Sequence, residues 1–398
     1  MRKIAATYVF PGNCRPPVKN GILVCDDEGA VVDLIDKGAD FREEAGMEFY
    51  SGVLVPGFIN AHCHLELSHL FGKVNEKTGI GDFIRQINGL RNTPEKEMLQ
   101  SMQIADRKMQ DSGIVAVGDI SNTSLSIKNK CRSKIFYHTF VEVFGFHPSR
   151  ATRAFEQAVR VKKEFEANHL PVSVVPHAPY SVSASLFEKL KAEAGQGNGP
   201  FSIHNQESRG ESQFYADGTG PMAEHLQQNI GIDISYWQPT GKSSLQSILK
   251  YMPQKNKLLL VHNTYTTSED LDELCQQRPR ETTFIVLCPN ANLYIENALP
   301  PVLLLKKYGV NICLGTDSLA SNHQLSVLDE MRTLQRNFIE LSMAELVDWA
   351  CINGAKALGI EDKLGSFDPG KKPGVNLLTG FDLKNRKITT QTKLKRLL

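Results

Sequence analysis

LVPGFINAHCHLE, residues 54–66, runs from an apolar strand into two histidines one residue apart. Side chains alternate faces along a strand, so His62 and His64 point one way and Cys63 the other. Seven further apolar runs also end in polar residues: IVAVGDIS (114–121), IFYHTFVEVFG (135–145), VSVVPHA (172–178), FSIHNQE (201–207), KLLLVHN (257–263), TFIVLCPN (283–290) and VNICLGTDS (310–318). Most are near-continuous in apolar residues, as strands covered on both faces require.

Helical periodicity fills the intervals. Met98, Met102, Ala105 and Met109 fall at i, i+4, i+7 and i+11, and Ser342 with Glu345 has capping-box spacing at the head of a helix running into WACINGAKALG. Eight strand–helix units in succession predict an α/β chain closed as a TIM-like (β/α)8 barrel over residues 54–364. Residues 1–53 and 365–398 read as short β pieces broken by turn signals. Neither end can bury a core alone, so both are expected to pair as one small β-sandwich domain. The connections 65–95 and 208–256 are longer than a crossover helix needs and are expected to shape or cover a pocket.

In such a barrel the C-terminal strand ends meet on one face. That brings together His62, His64, Asp119, Glu142, His177, His204, Glu207, His262, Asn290 and Asp317. An isolated H-x-H pair reads most simply as two polar residues at a loop start. His204 at the end of the fifth run and Asp317 at the end of the eighth change that reading. Three imidazole nitrogens and one carboxylate oxygen suit a divalent ion, zinc first and iron as the weaker competitor.

The bulk properties exclude other classes. Across 398 residues, 45 basic and 44 acidic side chains leave a formal charge of +1 in mixed order, no footprint for nucleic acid or an anionic membrane. Eight scattered cysteines without a C-x-x-C pair fit free thiols in a reducing compartment. No run approaches a membrane span, and the first residues lack an apolar targeting segment. The expectation is a cytoplasmic protein acting on a small molecule, with a homodimer as the default assembly. No G-x-G-x-x-G follows a strand, which removes a flavin or nicotinamide site.

PGFINAHCHLE (56–66), SIHNQES (202–208), LVHN (260–263) and LGTDSLASN (314–322) resemble the metal motifs of the amidohydrolase superfamily. GSFDPGKKPGVNLL (365–378) resembles its closing segment, which returns to the small sheet. The resemblance covers essentially the whole chain in the right order. It implies that His62, His64, His204 and Asp317 are metal ligands, that Glu207 shuttles the proton, and that His262 assists at the reacting centre, Asp317 also aiming the water. The superfamily divides on a fourth-strand lysine carbamylated to bridge two metals. VSVVPHAPYS (172–181) has no lysine, so a single ion is implied.

The H-x-x-E spacing of His204 and Glu207 resembles the cytosine and adenosine-type aminohydrolases. His177 in PHAPYSVS resembles a substrate-contacting histidine of deaminases for adenine-type nucleosides. HLELSHL (64–70) and YWQPTGKSSLQSIL (236–249) look most like the branch acting on S-adenosylhomocysteine or aminodeoxyfutalosine. The implied activity is hydrolytic deamination of an amino-substituted N-heterocycle, whether adenine-nucleoside-like, pterin or related. Glu66, Glu142 and Asn290 are expected at the substrate end; Arg150 and Arg209 are further charges at loop starts, and Asn205 and Gln206 lie within reach of substrate. Two alternatives share the pattern: cleavage of a C–Cl, amide or carbamate bond on the same site, and a non-catalytic relict that binds. The complete ligand set argues against the relict.

Overall fold

The computed structural model describes residues 1–42, 44–90 and 93–398. Glu43, in the first terminal segment, and Arg91 and Asn92, in the 65–95 connection, lie outside the described residues.

Eight parallel strands follow one another along the chain: Phe58–Cys63, Ile114–Ser121, Phe136–Val143, Val172–Pro176, Phe201–Asn205, Leu258–His262, Thr283–Leu287 and Asn311–Leu314. The first four form one four-stranded sheet in chain order, and the last four another. Every residue of the first, second, fifth, sixth and seventh strands is buried. Burial on both faces is why these runs are apolar without alternation.

The two sheets touch along both margins. On one side Cys63 and Asp317 form an isolated parallel bridge, and the N–H groups of Thr316 and Asp317 donate to the His62 carbonyl at 3.0 and 3.1 Å. Asn60 reinforces this seam, donating to Thr316 Oγ1 at 2.7 Å and accepting from the Thr316 N–H at 3.0 Å. A Cβ at Gly315 would lie 2.8 Å from His62 Cβ and 2.9 Å from its carbonyl oxygen, so the close approach requires glycine. On the other side the His204 N–H donates to the His177 carbonyl at 2.9 Å.

Both chain ends join one seven-stranded sheet, in which Val375–Leu378 pairs antiparallel with Val53–Pro56. The single strand expected to open LVPGFINAHCHLE (54–66) is therefore two strands. Leu54–Pro56 completes Met47–Pro56 of the terminal sheet, and Phe58–Cys63 begins the parallel set. The crossing is at Gly57, where a Cβ would sit 2.4 Å from the Pro373 carbonyl oxygen. The apolar run continues through the crossing because both sides are buried, so no change of pattern marks it.

Helices α1 (Ile80–Gly89) and α2 (Glu95–Asp111) follow the first strand, and α2 buries Met102, Ala105 and Met109 as the periodicity predicts. Ser342 and Glu345 form the expected capping box, the Ser342 N–H donating to Glu345 Oε2 at 2.9 Å. The helix behind it ends at Ala350 and a second runs from Ile352 to Leu358, the backbone breaking at Cys351. The two long connections meet: Leu70, Val74, Ile80 and Phe83 pack with Phe214, Tyr215, Met222 and Leu226 in an apolar cluster separate from the main core. All eight cysteines are free thiols. Among the described residues no helix is long and apolar enough to cross a membrane.

Candidate metal centre

His62 and His64 leave the first strand, His204 the fifth and Asp317 the eighth, and their donor atoms meet. His64 Nε2 lies 3.1 Å from His62 Nε2, 3.2 Å from His204 Nε2 and 3.2 Å from Asp317 Oδ1. His62 Nε2 is 3.5 Å from the same carboxylate oxygen. His262 ends the sixth strand and enters the same space: donor atoms of His62, His204, His262 and Asp317 all lie within 4.8 Å of one another. The strand ends adopt left-handed backbone to achieve this, at Gln206 (φ 47°), His262 (73°), Asn263 (54°) and Asp317 (55°). Such conformations are costly for residues with a Cβ and persist where surrounding bonds dictate them. Here the Asn263 N–H donates to the Asn205 carbonyl at 2.9 Å, and the Asn205 amide donates to Asn263 Oδ1 at 2.8 Å.

The cluster fits a cation. His204 Nδ1 donates to the His177 carbonyl at 2.9 Å, which leaves Nε2 as a bare lone pair facing the other donors. His64 Nε2 faces two ring nitrogens and can give a proton to only one. The buried Nδ1 of His62 has no partner at all. Separations of 3.1–3.5 Å match the edge, about 3.3 Å, of a tetrahedron with metal–ligand bonds of roughly 2.0–2.1 Å.

Charge agrees with this arrangement. Burial pushes His64 down to about 3 against the pull of Asp317, and burial with the neighbouring imidazoles holds His204 well below its ordinary value. Both rings are therefore neutral, as ligands must be. Burial opposes ionisation of Asp317, but His62, His64 and His262 outweigh it and hold the carboxyl well below the usual carboxylate range. Its Oδ2 accepts the Ser321 hydroxyl.

Glu207 and His262 stand on the rim, Glu207 Oε1 3.5 Å from His262 Nε2. Burial, then the charge of Asp317, pushes the Glu207 carboxyl well above the usual carboxylate range. His262 Nδ1 accepts from the Asn292 amide at 3.3 Å, which places the ring proton on Nε2. That tautomer separates His262 from the ligands: it presents an N–H where they present lone pairs.

A cavity of about 530 Å³ opens over the cluster. His177, Glu66 and Glu142 line it. His177 fixes its Nδ1 on Ser181 Oγ at 2.8 Å and packs under the Phe144 ring, centroids 4.4 Å apart. Glu142 Oε1 is buried without a hydrogen-bond partner, and burial raises its carboxyl to about 8 and that of Glu66 to about 7. The far wall is apolar, with Ile80, Phe83, Ile84 and Ile87 of α1 on one helical face. Among the described residues the lining carries no lysine or arginine.

Three sequence expectations are corrected, those for Asn290, Asn205 and Gln206. Asn290 does not line the cavity: it donates to Glu330 Oε1 at 3.0 Å and accepts from Thr333 Oγ1 at 2.6 Å. Asn205 and Gln206 are buried outside the cavity lining, and Gln206 is tied to Asp270 and Thr266 at 2.7 and 2.6 Å. Arg150 is exposed and Arg209 lies against the Tyr265 ring, neither lining the cavity. The asparagine that serves the site is Asn292, which sequence reasoning missed. It also missed Glu211, fully buried, whose carboxylate accepts the N–H groups of Gln206 and Glu207 at 2.9 and 3.2 Å. The signal was available, since Ser208 and Glu211 stand at capping-box spacing.

Comparison with known proteins agrees with this architecture. Residues 53–395 match the amidohydrolase family. An adenosine deaminase of Helicobacter pylori is 27% identical over 359 residues, 88% of this chain and 83% of the other. Among solved structures, an aminofutalosine deaminase of Helicobacter pylori in complex with methylthio-coformycin superposes with a TM-score of 0.82, at 22% identity and 100% coverage of both chains. An adenosine deaminase from Xanthomonas campestris with bound zinc superposes with a TM-score of 0.71, at 20% identity, covering 97% of this chain and 86% of that one.

Proposed function

This chain belongs to the amidohydrolase family, and from that premise we propose that it is a metal-dependent hydrolytic deaminase releasing ammonia from an adenine-nucleoside-like substrate. The observation that carries the reading is the meeting of His62, His64, His204 and Asp317 beneath a cavity lined by Glu207 and His262. The adenosine deaminase of Helicobacter pylori, similar along most of its length, supports the substrate class.

The four residues would hold one divalent ion, for which zinc is the natural choice. When bound, such an ion lowers the pKa of a water from about 15.7 to about 7, making hydroxide available at neutral pH. Asp317 is oriented by Ser321 and turns its other oxygen toward the histidines, so it aims the attacking oxygen. Glu207 gives its proton to the ring nitrogen beside the reacting carbon and takes one from the water. The new C–O bond makes that carbon tetrahedral, and His262 Nε2–H faces the charge that develops on oxygen. Glu207 then passes the proton to the exocyclic nitrogen, the C–N bond breaks, and ammonia leaves. His177, Glu66 and Glu142 hold the rest of the substrate, Glu142 Oε1 having no hydrogen-bond partner within the protein. The α1 wall accommodates an apolar substituent.

The architecture follows the same reading. Residues 58–364 form a closed (β/α)8 barrel, supported by the Cys63–Asp317 bridge and the His204-to-His177 bond. Residues 1–56 with 365–398 form a small β-sandwich domain, supported by separate apolar clusters around Ile4 and Leu377 and around Ile22 and Val24.

The test is ammonia release by the zinc-loaded protein over a panel of adenine nucleosides, pterins, cytosines and aminotriazines. Release from the adenine nucleosides is expected. Silence across the panel, with a C–Cl, amide or carbamate bond cleaved instead, rejects deamination.

A further inference from the structure

Beside the first strand end lies a buried ion pair that the proposed chemistry does not use. Lys130, on helix α3 (Ile127–Arg132), and Asp119, near the end of the second strand, have side chains fully excluded from solvent, with Lys130 Nζ 2.6 Å from Asp119 Oδ2. Lys130 also donates to Ser121 Oγ at 3.1 Å and Thr139 Oγ1 at 2.9 Å, so its three protons all find acceptors. Desolvating two charges is expensive, and apolar residues of similar volume often hold a fold together equally well. Stability alone is therefore a poor reason for the pair.

The other oxygen of Asp119 shows what the pair holds. Oδ1 accepts the N–H of Leu65 at 2.8 Å, and Leu65 directly follows the ligand His64. Cys63, directly before that ligand, is the ladder partner of Asp119. Glu66, the next residue on, accepts from the Asn122 N–H at 3.0 Å and from Thr123 Oγ1 at 2.8 Å. The chain on both sides of His64 is thus fastened to the end of the second strand. The ring itself is not: among the described residues its polar contacts are all with the other donors, His62, His204 and Asp317, whereas His204 is anchored on a carbonyl through Nδ1. A metal-binding imidazole without such an anchor depends on its backbone for direction.

We propose that Asp119, held in place by Lys130, is a positioning residue that fixes the Leu65 amide and so aims His64 at the metal. The proposal rests on the metal-site reading above, and its test separates the two.

Zinc affinity of the full chain is measured by chelator competition, together with the thermal midpoint of the zinc-free protein. Zinc binding by the wild-type protein tests the metal site itself, and its absence would overturn that reading and this one with it. Asp119→Asn/Lys130→Met keeps an oxygen for the Leu65 N–H and strands no charge. Asp119→Leu/Lys130→Met removes that acceptor at similar volume, and Leu65→Pro removes the donor while leaving the ion pair whole. The last two variants are expected to hold zinc about 10- to 100-fold more weakly than the Asn/Met double variant, with zinc-free thermal midpoints of the two doubles alike. The proposal is overturned if every variant that folds and lacks this hydrogen bond binds zinc as tightly as the Asn/Met double variant.

Discussion

The amide of Asn292 reaches His262 Nδ1 at 3.3 Å and Thr264 Oγ1 at 2.7 Å, in a pocket closed to solvent. By donating to Nδ1 it assigns the proton of His262 to Nε2, the nitrogen that faces Glu207. Asn292→Asp offers an acceptor instead and calls for the opposite tautomer. The variant is expected to lose about 10- to 100-fold in kcat while binding as much zinc as the wild type. Steady-state kinetics with metal analysis checks this, and an unchanged kcat would remove the tautomer argument.

Metal removal tests the donor cluster directly. Dialysis against a chelator is expected to abolish ammonia release, and adding back zinc to restore it. Zinc at about a thousand times its Kd adds about 4 kcal/mol to stability, so the thermal midpoint should rise on loading. His64→Ala should remove most of that rise, because its ring nitrogen lies within 3.2 Å of three of the other donors.

Histidine burial outside the site sets an acid limit on stability. His138 is pushed down to about 3 by burial and then by Lys130, against an unfolded value of about 6.5. Between those limits the unfolded chain binds the extra proton, so stability falls as pH drops below about 6.5, by up to about 1.4 kcal/mol per pH unit from this one group. Urea melts of the zinc-free protein between pH 4 and 7 should show that slope, and His138→Gln should flatten it. Equal slopes in the two proteins would reject the assignment.

The apolar face of α1 predicts a preference among nucleosides. Each methylene buried against Ile80, Phe83, Ile84 and Ile87 contributes about 0.8 kcal/mol, roughly fourfold in kcat/KM. Adenosines with an apolar group on the ribose 5′ carbon should therefore outperform adenosine, and Ile87→Asp should erase the difference. A flat series across substituents would show that the wall does not meet the substrate.

The parallel strands and the residues that end them were legible because a strand covered on both faces must be apolar throughout. The two-residue alternation within such a strand already puts His62 and His64 on one side. Gly57 was not legible as a crossing point, because burial continues on both sides of it. The sequence points to Asn290 because TFIVLCPN reads as strand to its end. The chain instead enters the helix Pro289–Ile295 directly after Cys288, and two residues on a helix turn a side chain by about 200°. That rotation sends Asn290 to Glu330 and Asn292 to His262. The Lys130–Asp119 pair was half visible: Asp119 stood among the strand-end residues, but nothing on α3 marked Lys130 as its partner.

Sequence alone determined the classes of chemistry available: neutral nitrogen and carboxylate donors at strand ends. Those properties are local, written in residue type and in the period of two along a strand. Tertiary structure decided which donors come within 3.5 Å of one another, which imidazole carries its proton on which nitrogen, and which asparagine serves the site. Each of those depends on partners far away in the chain, and only the packing of strand ends against one another brings such partners within hydrogen-bonding distance.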